Sequence, residues 1–415
     1  MSENSYKPRY LVMVTGENNN KYYKQIPQGD GSWVAEYGRV GYAPQKRSYP
    51  MSQWEAKYRE KIRKGYVDRT DLVEDLIQEV KPKKNNDYKA IEDEAIAKIV
   101  EKLQAMAKKA ISENYTISSD AVTQAMIDKA QSIITNLTEV KSVTMFNRQL
   151  LELFTAIPRK MSEVKEHMAN KKEDFVEIIK KEQDLLDVMR GQVYQKIKQD
   201  ETLSESDDNN SPEQTILEAN GLVFESCTED DIKVIKRALG ASADKFKNAW
   251  KVTNLKTQKR YDEFIKENKI KKTKLLFHGS RNENWWSIIN TGLCLRPTNA
   301  IITGKLYGIG IYFAPKAQKS IGYTSVQGSY WARGSATSGF MALMDVAYGT
   351  PYDVYDFNSK YHSLTYDSLQ EFKKGANCLH AHAGASMGYS ALRNDEIVIY
   401  KEEQCTIKYL VEIRN

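Results

Sequence analysis

The chain has 415 residues, of which 41% are apolar and 28% are charged, and its formal net charge is +6. This length is sufficient for two or three domains with their own cores, and the high charged fraction is typical of a soluble protein. The apolar runs are short and the chain begins MSENSYKPRY, so we expect no membrane span, no secretory signal and an intracellular location. Neither a disulfide framework nor a CxxC zinc site is indicated by the widely spaced cysteines, Cys227, Cys294, Cys378 and Cys405.

The first segment, residues 1–80, predicts a small β-rich domain closed by a helix. Strand patterns cover residues 9–15, 21–26 and 33–40, and a glycine-containing turn at residues 28–31 separates the last two. A helix over about residues 52–64 is expected to end at Gly65.

Positive charge is concentrated within residues 37–69, which hold nine basic and three acidic residues. Aromatic side chains are interleaved with the bases, as a surface that binds phosphates and stacks on sugars or bases requires. On charge alone, the favoured alternative is a solvated helix whose aromatic residues face a core. The aromatic residues concerned are Tyr37, Tyr42, Tyr49, Trp54, Tyr58 and Tyr66.

The middle segment, residues 87–200, predicts an all-α bundle. Apolar residues recur every three or four positions within 96–103, 122–137, 150–157 and 175–189. Two breaks in composition bound the segment. Residues 81–87 (KPKKNND) are polar with a proline and indicate a linker, and residues 200–213 (DETLSESDDNNSPE) contain six acids and no bases, which indicates a loop or flexible connection.

The third segment, residues 214–415, predicts a mixed, β-dominated domain. Strand patterns cover 275–277, 309–313, 396–400 and 406–413, and helix patterns cover 230–239, 256–268 and 285–290. The first three strands deliver His278, Tyr312 and Glu396, which we expect around one pocket. His380 and His382 are interpreted as loop residues, because a fourth ligand at tetrahedral spacing is missing from the sequence around them.

Three motifs in this segment resemble the catalytic domain of the poly(ADP-ribose) polymerases: LFHGSRNENWWSIINTGL at 276–293, TGKLYGIGIYFAPKAQKSIGY at 303–323 and DEIVIYKEEQCTIKYL at 395–410. The first segment resembles a WGR domain through VAEYGRVGYAPQKRSYP and KGYVDRTDL, and the middle segment resembles the regulatory helical domain of the same enzymes. The resemblance implies a multidomain α+β protein. Its parts are a WGR-like DNA-binding domain at 1–80, a helical domain at 87–200 and an ADP-ribosyltransferase domain at 214–415.

The resemblance assigns a role in NAD+ cleavage to each matching position. Glu396 takes the catalytic position, although Asp395 beside it leaves a register ambiguity, which alignment back from Lys408 resolves in favour of Glu396. His278 is expected to hold a ribose hydroxyl of NAD+, the substrate. The nicotinamide group is expected to contact the remaining positions: Gly279 and Ser320 at its carboxamide, Tyr323 and Tyr312 at its two ring faces, and Ser280 in the same motif.

Physical chemistry supports these residue types. Cleavage of the bond between nicotinamide and ribose develops positive charge on the sugar, which a carboxylate stabilises without a metal. Stacking between two tyrosines fixes the leaving group. Taken singly, His278, Tyr312 and Glu396 are better explained as structural residues, but their occurrence together in the family order favours the functional interpretation.

The resemblance implies a DNA-break-stimulated enzyme, because this domain order is that of DNA-dependent members of the family. Members that keep the residues matching His278, Tyr312 and Glu396 are similar to chain-building enzymes, so we expect this one to modify protein acceptors, including itself, and to extend poly(ADP-ribose). Tyr37, Gly38 and Arg39 are the predicted DNA-binding residues; Tyr37 replaces the tryptophan that names the domain, and Arg39 suits either a phosphate or an interdomain contact. DNA ends or strand breaks are thus the expected partners. The expected location is the nucleus in a eukaryote, or the cytoplasm and nucleoid in a bacterium.

Two alternatives stay open: a mono-ADP-ribosyltransferase acting on protein or nucleic-acid ends, and a catalytically idle scaffold that binds DNA ends. Polymer growth also depends on an acceptor loop, which we place within residues 350–390. The adenosine contacts are open as well, because Cys294 stands where the family has an arginine and Arg296 lies nearby. The sequence leaves the oligomeric state undetermined.

Overall fold

The computed structural model describes residues 6–72, 88–115, 122–204, 214–296, 298, 306–329, 334–356, 358–386 and 391–415. The chain forms two compact units, one from residues 1–87 and 109–193 and the other from residues 88–108 and 194–415. The predicted linker at 81–87, residues 205–213 of the predicted connection and residues 303–305 of the second motif lie outside the described residues.

The first unit opens with a five-stranded antiparallel sheet in the order β4-β3-β2-β1-β5. Its strands are β1 (Arg9–Thr15), β2 (Asn19–Pro27), β3 (Ser32–Arg39), β4 (Gln45–Pro50) and β5 (Val67–Asp68). Helix α1 (Trp54–Arg63) covers the sheet, and Gly65 follows it with a φ of +89°, a conformation that favours glycine. The sequence missed β4, an edge strand whose residues are almost all exposed and therefore lack an alternating apolar pattern.

The aromatic residues of the basic segment pack mainly inward. Trp54 belongs to a buried cluster with Leu11, Tyr23, Trp33 and Ala35. Against this cluster pack four of the tyrosines, Tyr37, Tyr49, Tyr58 and Tyr66. The structure therefore confirms the core-facing alternative for these residues, whereas Tyr42 is 58% exposed.

Among the described residues, four α-helices follow: α2 (Glu94–Asn114), α3 (Gln124–Leu137), α4 (Val143–Ala156) and α5 (Phe175–Ser204). Their apolar stripes are buried, as the periodicity predicted. The prediction of a flexible connection from residue 200 is wrong for residues 200–204, which extend α5. Glutamate and leucine in this stretch have good helix propensity, so an established helix continues through them.

The second unit contains nine strands and six further helices among its described residues. In chain order they are α6 (Ile216–Ala219), β6 (Leu222–Ser226), α7 (Glu229–Leu239), β7 (Phe246–Asn254), α8 (Leu255–Glu267), β8 (Lys274–Gly279), α9 (Trp285–Thr291), β9 (Ile311–Phe313), α10 (Ala317–Ile321), β10 (Ser338–Val346), β11 (Pro351–Val354), α11 (Tyr366–Phe372), β12 (Cys378–Ala381), β13 (Glu396–Ile399) and β14 (Cys405–Arg414).

The strands form two sheets. One is antiparallel with the order β6-β7-β14-β10-β8, and the other has the order β11-β12-β13-β9, in which only β11 and β12 are parallel. Phe277 and Ala314 exchange two backbone hydrogen bonds of 2.9 and 3.0 Å between the sheets. This bridge brings the end of β8 next to β9.

The α+β class is confirmed, and one expectation for the third segment is corrected. His380 is not a loop residue, because it lies in β12 and is buried. The range within which the acceptor loop is expected, residues 350–390, also contains β11, α11 and β12, and Leu369 and Leu379 are fully buried in one cluster. Among the described residues, no helix combines the length and apolar character that crossing a bilayer requires.

Candidate active site

His278, at the end of β8, lies against β9. Its Nδ1 is 3.1 Å from the backbone oxygen of Tyr312. Because a carbonyl oxygen only accepts hydrogen bonds, Nδ1 carries the proton and Nε2 keeps its lone pair. Burial lowers the pKa of His278 below 6.5, while the hydrogen bond to Tyr312 opposes this shift. The imidazole is therefore neutral near pH 7.

Gly279 lies directly against α10. A Cβ atom at this position would stand 2.1 Å from the backbone oxygen of Ser320, a distance that no real contact permits. Ser320 itself is buried. The absence of a side chain at residue 279 is thus what lets β8 and α10 approach.

Replacing Gly279 with alanine is expected to lower the free energy of unfolding by about 1–3 kcal/mol, because the backbone of α10 must move to admit the methyl group. The measurement is the urea-unfolding midpoint of the full chain, followed by tryptophan fluorescence. The matched control is Gly29→Ala, where the new Cβ would meet no atom within 4 Å. Equal midpoints for the two variants would contradict the close approach.

The other predicted residues, Tyr312, Tyr323 and Ser280, lie in β9, just after α10 and just after β8. The Tyr312 hydroxyl donates to the oxygen of Gly308 at 2.9 Å and accepts from the backbone nitrogen of Tyr307 at 3.2 Å, which fixes its side chain. Tyr323 follows α10, and burial raises its pKa to about 12. Ser280 accepts a hydrogen bond from Asn284 at 3.1 Å, so its hydroxyl holds the turn before α9.

Glu396, the first residue of β13, is 8% exposed. Its Oε1 forms an ion pair with Nζ of Lys319 in α10. Its Oε2 is buried and finds no hydrogen-bond partner in the part of the chain that the structure describes. A buried oxygen without a donor costs free energy, so this atom is suited to accept a hydrogen bond from a ligand.

Lys319 is the residue of this site that the sequence reasoning missed. It stands immediately before Ser320 within the second motif, and only the fold brings it to Glu396. Burial lowers the pKa of Lys319 to about 8, against a raising effect of the Asp395 carboxylate. The sequence offered one signal that could have identified Lys319, namely that it directly precedes the predicted site residue Ser320.

The structure also bears on the choice between Asp395 and Glu396. Asp395 accepts hydrogen bonds from the backbone of Ala383 at 2.8 Å and from Nε2 of His380 at 3.1 Å. Burial favours a raised pKa for Asp395, but these bonds together keep it below 3.8. Asp395 is thus satisfied by its own contacts, and Glu396 offers the open acceptor, which favours Glu396 as the catalytic position.

The predicted DNA-binding residues belong to the first unit, whereas the residues described above belong to the second. Arg39 donates to the backbone oxygens of Met161 and Ser162 and to both oxygens of Asn18, so its guanidinium joins β3 to the segment after α4. The ring of Tyr37 stacks on Tyr23 with a centroid distance of 6.0 Å. The sequence suggested either a phosphate contact or an interdomain contact for Arg39, and the structure shows a contact between the first and middle segments.

Near the predicted adenosine contacts, Arg296 is buried and Cys294 is half-buried. All four cysteines are free thiols.

Comparison with known proteins gives this arrangement a family. The family model described as the poly(ADP-ribose) polymerase catalytic domain matches residues 229–415. The poly [ADP-ribose] polymerase-like protein 100L of Invertebrate iridescent virus 6 is 33% identical over 173 residues, which cover 41% of this chain and 86% of the viral protein. This chain belongs to the poly(ADP-ribose) polymerase family. It is an ADP-ribosyltransferase, and the catalytic domain of the family uses NAD+ as its substrate.

Two further proteins are similar to parts of this chain. The uncharacterized protein 101L of the same virus is 29% identical over 197 residues, covering 47% of this chain and 81% of that protein. Human poly [ADP-ribose] polymerase 2 is 38% identical over 90 residues, covering 22% of this chain and 14% of the human protein. The family model begins at residue 229, so it leaves the first and middle segments outside the match.

Proposed function

We propose that this protein is a DNA-break-stimulated poly(ADP-ribose) polymerase. It cleaves NAD+ to nicotinamide, transfers ADP-ribose to protein acceptors including itself, and extends poly(ADP-ribose). The observation that supports the chemistry best is the buried Oε2 of Glu396, which lacks a donor while Oε1 is held by Lys319.

The neighbouring residues suit NAD+ binding in this proposal. Nε2 of neutral His278 accepts a hydrogen bond from a ribose hydroxyl, because Nδ1 is committed to the Tyr312 backbone. Gly279 and Ser320 hold the nicotinamide carboxamide, and the rings of Tyr312 and Tyr323 enclose the nicotinamide ring. These roles come from the family resemblance, and the residues lie on β8, β9 and α10 or, for Tyr323, just after α10.

Glu396 acts in both halves of the proposed transfer. The bond between the nicotinamide nitrogen and ribose C1′ breaks, and its electron pair leaves with nicotinamide. The carboxylate stabilises the positive charge that develops on the ribose. The acceptor oxygen then bonds to C1′, and Glu396 takes the proton of an attacking hydroxyl.

Protonation of His278 should lower kcat/KM for NAD+. Because burial lowers the pKa of His278, its imidazole stays neutral down to pH values below 6.5, and an imidazolium Nε2 could no longer accept the ribose hydroxyl. We expect kcat/KM for NAD+ to be unaffected by this group above pH 6.5 and to fall in more acidic buffer. The measurement is a pH profile of kcat/KM. The His278→Gln variant should lack the acidic fall, and a profile that stays the same in this variant would contradict the assignment.

Stimulation by DNA requires a path from the basic segment to the catalytic domain. Within the first unit, Arg69 donates to the backbone oxygens of Thr155 and Ala156 at the end of α4. Within the second unit, Lys102 of α2 forms a 2.6 Å ion pair with Glu412 of β14. The boundary between the units falls inside α2 and α5, so each unit contains part of both helices.

Loosening these helices is the proposed response to DNA. Trp286 of α9 donates to Gln195 of α5 at 2.9 Å, which adds a second bond between a bundle helix and the catalytic domain. DNA ends bound near residues 37–69 would weaken the helical packing and open the site to NAD+. The enzyme would then work inside the cell at DNA, in the nucleus of a eukaryote or the nucleoid region of a bacterium.

The test is NAD+ consumption and product size with purified full-length protein, with and without a short 5′-phosphorylated duplex. A DNA-stimulated ladder of products supports the whole proposal. A single product of fixed size, on protein or on the duplex, would reduce the activity to mono-ADP-ribosylation, and DNA independence would remove the sensor. No consumption under either condition would overturn the proposal in favour of a DNA-end scaffold.

A further inference from the structure

His380, His382 and Asp353 form a cluster outside the proposed chemistry. One potential ligand atom from each lies within 4.8 Å of the others. Nε2 of His382 is 2.8 Å from Oδ1 of Asp353, and Nδ1 of His380 is 3.9 Å from the same oxygen. A tetrahedral zinc site with bonds of about 2.0–2.1 Å places its ligand atoms roughly 3.3 Å apart. The cluster thus has the spacing of a metal site.

Backbone pairing builds this cluster. Asp353 and His380 are register partners on the parallel strands β11 and β12, so their side chains lie side by side. The backbone nitrogen of His382 donates to the oxygen of Val354 at 3.0 Å, which holds His382 against β11. The ring of Tyr355 stacks on His382 at a centroid distance of 4.5 Å. The arrangement is therefore held by the sheet as well as by the side chains themselves.

A second group of contacts fixes the orientation of the His380 ring. Its Nε2 donates to Asp395 at 3.1 Å, and Asp395 is held in turn by the backbone nitrogen of Ala383. Since Nε2 carries the proton, Nδ1 keeps its lone pair and accepts from the Tyr348 hydroxyl at 2.8 Å. Metal-binding histidines commonly donate their other ring N–H to a carboxylate in this way.

The negative charge around the cluster and its partial exposure to solvent also favour binding of a cation. Asp353 and Asp395 supply two carboxylates within hydrogen-bond reach of the imidazoles. The side chain of His380 is 10% exposed, whereas those of His382 and Asp353 are 26% and 38% exposed. An ion can therefore enter from the His382 side, and water can complete its coordination.

We propose that Nδ1 of His380, Nε2 of His382 and an oxygen of Asp353 bind a divalent transition-metal ion such as Zn2+, with Asp395 orienting His380. Binding requires the Nδ1–H tautomer of His382, so the proton of its Nε2 passes to Nδ1 through solvent, and the Tyr348 hydroxyl turns its hydrogen away from Nδ1 of His380. The rings of His380 and His382 stack at a centroid distance of 4.0 Å and an angle of 27°. On metal binding they would move apart until one nitrogen lone pair of each ring points at the ion. Two nitrogens and one carboxylate oxygen are a ligand set that zinc accepts.

The site would act as a clamp and takes no part in the transfer chemistry. Strand β12 pairs with β13, where Ala381 stands opposite Glu396. Asp395, which orients His380, directly precedes Glu396 in the chain. A bound ion would tie β11, β12 and the start of β13 together and so steady the position of the catalytic carboxylate.

The test is Zn2+ binding by full-length protein that has been stripped with a chelator and dialysed free of it, measured by competition with a chromophoric chelator. We expect one equivalent for the wild type. His382→Gln and Asp353→Asn should each weaken binding by more than about 100-fold, and Asp395→Asn by about 10–100-fold, the range seen for carboxylates that orient a ligand. His362→Gln, a matched change at an exposed histidine outside the cluster, should bind like the wild type.

Two further measurements show whether the ion binds at this cluster. Zn2+ should raise the thermal unfolding midpoint of the wild type and leave that of His382→Gln unchanged. Co2+ in the same site should give a spectrum without thiolate bands, which separates it from binding at any of the four free cysteines. Failure of the wild type to retain Zn2+, or equal affinity in the wild type and both ligand variants, would overturn the proposal.

Discussion

Replacing Glu396 with glutamine is expected to reduce the rate of ADP-ribose transfer on the order of 10²–10³-fold, the loss typical for removing one preorganised stabiliser of transition-state charge. Glutamine has the same shape but no negative charge, so it cannot stabilise the ribosyl cation or take a proton. It also leaves Lys319 without its ion-pair partner. The measurement is kcat for NAD+ consumption with the DNA duplex present, together with the thermal midpoint to show that the variant is folded.

Two companion variants sharpen this experiment. Glu263→Gln, the same change on the exposed face of α8, removes only a 4.0 Å ion pair with Lys259 and should keep wild-type kcat. Asp395→Asn should lose far less activity than Glu396→Gln, because Asp395 is engaged by Ala383 and His380. A larger loss at Asp395 than at Glu396 would move the catalytic position by one residue.

The second large effect is expected in the helical segment, where Arg159 and Glu182 form an ion pair with side chains only 2% and 4% exposed. Arg159 also lies over the rings of Tyr115 and Phe154 at 5.3 and 5.8 Å. Glu182→Gln leaves the buried guanidinium without a counter-charge, which should cost about 3–5 kcal/mol of stability. The measurement is urea unfolding with hydrogen exchange followed at α3 and α4. Glu152→Gln breaks an exposed pair on α4 and should cost no more than about 1 kcal/mol.

A double variant distinguishes charge from packing. Arg159→Met combined with Glu182→Leu removes both charges and should recover most of the lost stability, since apolar replacements of buried ion pairs are often neutral. If the helices restrain the catalytic domain as proposed, Glu182→Gln should also raise NAD+ turnover without DNA, and the double variant should lower it again. Unchanged DNA-independent turnover in a clearly destabilised variant would contradict the restraint.

The candidate catalytic residues could be selected from local sequence. An apolar run that ends in a single polar residue predicted the strands that carry His278, Tyr312 and Glu396, and the order of the motifs pointed to one pocket. Each predicted strand or helix overlaps an observed element, because strong apolar periodicity reflects burial against a core, but α2, α4 and α5 extend well beyond the apolar runs that predicted them. Of the two interpretations offered for the basic segment, the one with core-facing aromatic residues is confirmed, with Tyr42 as the exception.

The missed strands and the contacts between separate segments depend on long-range pairing. Contacts between residues far apart in the chain leave no local sequence pattern, so they could not be predicted. Strand β10 lies between β14 and β8 and is buried almost throughout, so it lacks the alternation that identifies a half-exposed strand. The ion pair of Lys319 with Glu396, the interdomain use of Arg39 and the meeting of Asp353 with His380 all join separate segments. Local periodicity therefore determined the class of elements and the candidate chemistry, whereas sheet register and close backbone approach determined which polar groups meet.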